Sequence, residues 1–190
     1  MSVRAVVVLS LGLIVAACAS NPENTLTQAK RDSLRVESIE VSFASDAKIL
    51  WSDAQGAPEE PSAKLAYLEQ KAVGPIKSAL DAEIKPAFRG TDPVTLRVRI
   101  RMIHIQAMAT RIILGSIPYS IKADLELMDV KSGQTMLAAT NFDAFTQKGL
   151  GGVGAILEAA ATDEPIIRVS KAFAHVLSGW LKTGMASHVG

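Results

Sequence analysis

The chain has 190 residues, with 20 Lys and Arg against 19 Asp and Glu, and one cysteine. That length builds one domain with a proper core, and a single cysteine excludes an internal disulfide framework. The even charge balance, with no basic block, argues against nucleic acid as a partner.

The N-terminus is the most specific part. Residues 1–4, MSVR, carry Arg4, and residues 5–17, AVVVLSLGLIVAA, carry no charge. A positive start, a short apolar run and small residues make a secretory signal. The run is shorter than the about 20 residues a membrane-crossing helix needs. Its end, Val15-Ala16-Ala17-Cys18, resembles the bacterial lipobox, whose cysteine becomes the lipid-bearing N-terminus. Ordinary cleavage after Ala17-Cys18-Ala19 is the alternative, but the chain's one cysteine stands where a lipobox needs it. The resemblance implies a signal peptide over 1–17, a palmitate-type lipid on Cys18 and membrane attachment through it. Ala19, where aspartate favours inner-membrane retention, implies the outer membrane, with the domain facing the periplasm.

Residues 18–33 read as a lipidated flexible tether, because 19–33, ASNPENTLTQAKRDS, is polar without apolar periodicity. Such a segment spans roughly 20 Å on average. A single α+β domain is expected over 34–185, and 186–190 as a frayed tail.

The first strand is expected over 35–43, where Ile39, Val41 and Phe43 alternate with polar residues. A loop over 52–61 leads to a helix from about Ser62, its expected N-cap. Leu65, Leu68, Ala72, Ile76 and Leu80 form its apolar stripe. Gly74-Pro75 predicts a kink, or two helices that meet there. Residues 94–102 alternate most clearly, with Val94, Leu96, Val98, Ile100 and Met102 on one face and Thr95, Arg97, Arg99 and Arg101 on the other. Beyond Met102 the parity flips to Ile103 and Ile105, which predicts a β-bulge.

A strand over 119–127 places Tyr119, Ile121, Ala123, Leu125 and Leu127 on one face. Asp129 to Gln134 is a tight-turn sequence, and a third strand returns over about 135–146. Residues 147–161 are glycine-rich and then helix-prone. Thr162 is the expected cap of a last helix with Ile166, Val169, Phe173, Val176, Leu177 and Trp180 buried, and Gly184 or Gly190 follows its end. The order is strand, helix, three-strand meander, helix, an antiparallel sheet of about four strands with both helices on one face.

Nothing in this pattern carries catalysis. His104, His175 and His188 lack partners at zinc-like spacing, and no nucleophile elbow or phosphate loop is present. The run Gly149 to Gly154 lacks the Gly-Lys-Ser/Thr ending of a phosphate loop. No catalytic residue, metal or cofactor is therefore expected. Arg97, Arg99 and Arg101 together suit an anion such as a lipid phosphate. A cross-strand charge ladder is the alternative, with Arg99 opposite Asp124, Arg97 opposite Glu126, and Arg101 near Lys122 as the least satisfied member. A candidate interaction rim comes from chain direction. Segments 107–118 and 147–161 should leave one end of the sheet, bringing together Ile112, Ile113, Leu114, Leu150, Val153, Ile156 and Leu157; the alternative is that 152–161 folds as a short helix over the core and buries them.

The lipobox followed by this element order resembles small envelope lipoproteins of unknown function, common in alphaproteobacteria. The order is also similar to domains of ABC-transporter auxiliary lipoproteins and the curli-secretion lipoprotein family. Leu125 to Gln134 resembles their strand-Asp-x-x-Thr-Gly turn, with Ser132 for the usual threonine. The resemblance implies a non-enzymatic protein that presents a periplasmic domain to a protein partner in transport or envelope assembly. The alternative is a binding module for a lipid or small amphiphile.

Overall fold

A computed structural model describes residues 21–51, 54–106, 119–145 and 164–185. The elements are α1 (Gln28–Ser33), β1 (Leu34–Trp51), α2 (Pro61–Ile84), β2 (Asp92–Ile105), β3 (Ser120–Asp129), β4 (Thr135–Phe145) and α3 (Pro165–Thr183). A single 3₁₀ turn, Lys85–Ala87, follows α2. The four strands form one sheet in the order β1-β2-β3-β4, and the expected α+β architecture holds. The meander β2-β3-β4 is antiparallel, whereas β1 lies parallel to β2, so the sheet is mixed. The reason is connectivity: α2 carries the chain back along the sheet before β2 begins, so β2 runs the same way as β1.

Alternation decides which face is covered. On β2, Val94, Leu96, Val98 and Ile100 are buried, and on β3, Ile121, Ala123, Leu125 and Leu127. They join Leu68, Ala72, Ile76 and Leu80 of α2 and Phe173, Leu177 and Trp180 of α3 in one core. Phe142 of β4 anchors α3, 6.2 Å from Phe173 and 5.2 Å from Trp180 between ring centroids. Each such large side chain contributes about 2–3 kcal/mol through burial.

Several local expectations change. The first strand is longer than 35–43 because its pairing with β2 continues through Trp51 opposite Ile105. Glu60, not Ser62, caps α2; its carboxylate accepts the N–H groups of Ser62 (3.1 Å) and Ala63 (2.6 Å), and Pro61 fills the first helical position. Helix α2 runs unbroken through Pro75, which removes one backbone donor; Ala72, Ile76 and Leu80, all fully buried, hold both halves on one core. Leu65, the first residue of the expected stripe, is exposed. Helix α3 starts at Pro165 with Glu164 in the cap position, and the expected cap Thr162 lies outside the described residues. Gly184 ends α3 at φ 80°, the left-handed conformation that glycine adopts without strain.

The bulge is present one residue earlier than the pattern placed it. Arg101 is the extra residue, because Ile100 pairs with Ala123 and Met102 with Lys122. Met102 therefore turns to the outer face, while Ile103 and Ile105 stay in the core. The irregularity crosses the sheet. On β1, residues 44–47 loop out between Phe43, opposite Ile100, and Lys48, opposite Met102. On β4, Thr140 and Asn141 together face Asp124, and Asn141 takes φ 54° to do so.

The N-terminal segment departs most from its reading. Residues 21–33, assigned by composition to a flexible tether, lie against the domain. The Asn21 amide donates to the Asp143 carbonyl (2.8 Å) and accepts from the Asp143 N–H (2.7 Å). The Trp180 indole donates to the Pro22 carbonyl (2.8 Å), and buried Asn24 donates to the Trp180 carbonyl (3.0 Å). Thr27 then caps α1, and Lys30 pairs with Asp92 at the start of β2. Five polar groups thus find specific partners, and that outweighs the entropy that composition alone predicts.

Candidate functional site

The outer face of the sheet carries the charged residues singled out by the pattern. Arg97, Arg99 and Arg101 all lie on it, and the expected register is present: Arg97 faces Glu126 and Arg99 faces Asp124. The ion pairs differ from that register. Arg97 Nε donates to Glu40 Oε2 on β1 (2.8 Å). Arg101 Nε donates to Asp124 Oδ2 (2.7 Å), and its Nη1 donates to Asp46 Oδ1 (3.0 Å). Arg101 was expected to be the least satisfied of the three and is the best paired. The bulge lifts it out of the ladder, so its guanidinium reaches back to Asp124 and across to Asp46 in the β1 excursion. Lys122, its expected neighbour, pairs instead with Asp143 (3.3 Å).

Asp124 is the node of this face. Burial raises its carboxyl pKa, but hydrogen bonds from Arg101 and the Asn141 N–H (3.1 Å), with the charges of Arg101 and Arg99, outweigh that. Its carboxyl therefore stays below the usual carboxylate value. The hydrogen bond from Arg101 to Asp124 raises the Arg101 pKa in turn. Arg99 is held by no hydrogen bond or ion pair of its own among the described residues, and it stays exposed.

A hollow of about 470 Å³ lies on this face, lined among others by Glu40, Arg97, Arg99, Asp124, Glu126 and Thr140. Both charge signs line it, and its arginines stand on the solvent side of the sheet, away from the core. Paired charges on such a face help fix strand register and keep it soluble. Among the described residues no group of three His, Cys, Asp or Glu is placed to hold a metal, and no helix is long and apolar enough to cross a membrane.

Cys18 lies outside the described residues, as do Ile112, Ile113, Leu114, Leu150, Val153, Ile156 and Leu157. The residues flanking the two rim segments are described: His104 pairs with Ser120, and Ser120 with Phe145, so both segments depart from one end of the sheet. The anchoring role of Asn21, Asn24 and Trp180 was not legible. An Asn-Pro pair in a polar run is the sole hint at position 21, and it signals a turn rather than a contact.

No protein-family model matches the chain, and no curated protein matches it. Its course is similar to that of several solved structures. One is a candidate lipoprotein of Caulobacter crescentus, at 13% identity and a TM-score of 0.34, covering 82% of this chain and 92% of that one. A second is PelC of Paraburkholderia phytofirmans, crystallised as a dodecamer, at 12% identity and a TM-score of 0.33, covering 76% and 90%. A third is a Xanthomonas campestris protein of the DUF330 family, at 12% identity and a TM-score of 0.31, covering 82% and 84%. These are likenesses in the course of the chain alone.

Proposed function

We propose that this chain is a non-enzymatic lipoprotein, anchored through a lipid on Cys18 in the outer membrane, that presents its domain in the periplasm to a protein partner in transport or envelope assembly. The observation that carries the reading is Val15-Ala16-Ala17-Cys18 closing a short apolar run, with the chain's one cysteine at its end. Two or three acyl chains there hold a protein at a bilayer, where a single chain is marginal. Ala19 supports the outer membrane rather than the inner. The described domain supports a presenting role over a ligand-binding one: its core is filled with aliphatic and aromatic side chains, and two of its three outer-face arginines, Arg97 and Arg101, are paired with carboxylates. Cys18→Ser tests the reading. It should abolish metabolic lipid labelling and release the protein from the membrane fraction. Unchanged membrane retention of a processed Cys18→Ser protein would overturn it. Crosslinking in intact cells, followed by identification of the captured protein, tests the partner.

A further inference from the structure

We infer that the β4 edge of the sheet, where Asn21 bridges to Asp143, is the side of the domain that faces the bilayer. The inference rests on the lipid at Cys18. Given that lipid, the length of the leash decides the orientation. Cys18 stands three residues before Asn21, and three residues of fully extended chain reach about 11 Å at most. A domain of this size has a radius of gyration of about 15 Å, longer than the leash. The docked point therefore stays close to the membrane, and the opposite side cannot turn toward it.

The docking is built to hold. Asn21 presents its side-chain amide to β4 as a neighbouring strand would, with one donor and one acceptor on the main chain of Asp143. The next residue is held by the Trp180 indole, and Asn24 is buried against the end of α3 with its Oδ1 accepting from Leu26 N–H (3.0 Å). Releasing the leash means breaking these bonds together. The sheet order then ranks the strands by distance, with β4 nearest the lipid surface and β1 farthest, three spacings of about 4.8 Å away.

The register supplies a matched pair of probes. Ser42 pairs with Arg99, Arg99 with Asp124, and Asp124 faces Thr140 and Asn141, so Ser42 and Thr140 lie at one height on opposite edges. Both are exposed. With Cys18 lipidated, a cysteine introduced at either position is the sole free thiol. Full-length lipidated protein carrying Thr140→Cys or Ser42→Cys, nitroxide-labelled, is reconstituted into phosphatidylcholine vesicles containing a nickel-chelating lipid. Nickel should relax the label at position 140 several-fold more strongly than the label at position 42. Inserting about 12 Gly and Ser residues between Ser20 and Asn21, which lengthens the leash by about 20 Å, should abolish the difference while the protein still floats with the vesicles. Equal relaxation at the two positions, stronger relaxation at position 42, or a difference that survives the insertion overturns the inference. Protein without the lipid mass that fails to float overturns the anchor reading itself, and this inference with it.

Discussion

Arg101 holds the carboxylate that lies opposite Arg99. By register Arg99 faces Asp124, yet the hydrogen bond to Asp124 Oδ2, at 2.7 Å, comes from Arg101. A double-mutant cycle should separate the two arginines. Coupling between Arg101→Ala and Asp124→Ala should be clearly measurable, since Arg101 donates the hydrogen bond that Asp124 accepts. Coupling between Arg99→Ala and Asp124→Ala should be much smaller, because Arg99 faces Asp124 without bonding it. Urea unfolding of the four proteins in each cycle measures both; equal couplings would show that the bulge does not select the partner.

Acid should remove the Asp124 contribution in a defined window. Its carboxyl pKa is depressed in the folded protein, so its stabilisation is present above the unfolded value and is lost as pH falls through the folded one. The unfolded value is about 4. The native protein should therefore exceed Asp124→Asn in unfolding midpoint above about pH 4, and the gap should close below it. A gap that widens on acidification would reverse the assigned sign. Other depressed carboxylates, Asp92 and Asp129 among them, are common to both proteins and cancel in the difference.

Loosening the N-terminal segment should cost stability, which a free tether could not. Trp180→Phe keeps a ring against Phe142 but removes the indole donor to Pro22 and trims a buried side chain, so its cost should exceed the roughly 1 kcal/mol of the hydrogen bond alone. Asn24→Ala, at a buried position, should cost about 1–2 kcal/mol. Hydrogen exchange should show faster exchange at the Leu26 and Arg31 amides in Asn24→Ala, since both are bonded within this segment. Native exchange rates there would mean that the segment is held by other contacts.

Gly90 should tolerate no side chain. A Cβ at this position would stand 2.2 Å from the Ser33 carbonyl oxygen and 2.8 Å from that of Leu34, and both are backbone atoms. Gly90 N–H also donates to the Leu34 carbonyl (2.8 Å), so the two chains cannot separate without losing that bond. Gly90→Ala should cost about 3 kcal/mol. Gly133→Ala probes a different cause: the glycine has open space around it and φ 68°, so the cost comes from conformation alone and should be about 1 kcal/mol. Thermal unfolding of the two variants compares them directly.

What was legible in the sequence followed hydrophobic period. The alternation of Val94 to Ile100 and of Tyr119 to Leu127 identified the central strands and their covered face, and the length of the hairpin fixed Arg97 opposite Glu126. The stripe of α3, from Ile166 to Trp180, was equally plain. Hydrogen-bonding detail was not legible, because it depends on which backbone groups lie nearby. Asn21 and Asn24 look like tether residues until Asp143 and Trp180 are brought beside them. Arg101 looked unpartnered because parity showed that a bulge exists, while the ion pairs depend on which residue is extra. The parallel pairing of β1 likewise depends on where α2 returns the chain.

Arg101 and Asn141 are surplus to the core. Removing Arg101 from β2 would leave Ile100, Ile103 and Ile105 in unbroken alternation with Met102 and His104. Removing Asn141 would do the same for Ala139, Phe142 and Ala144 on β4. Single-residue deletions in strands ordinarily turn the core outward, but at these two positions they would straighten the strand and keep every buried side chain inside. The two surplus residues are thus not needed to keep these side chains in the core, and what Arg101 shapes is the polar face, where it reaches Asp46 and Asp124. Loss of either residue leaves the inward alternation of its strand intact, so the outer surface is open to remodelling independently of the interior.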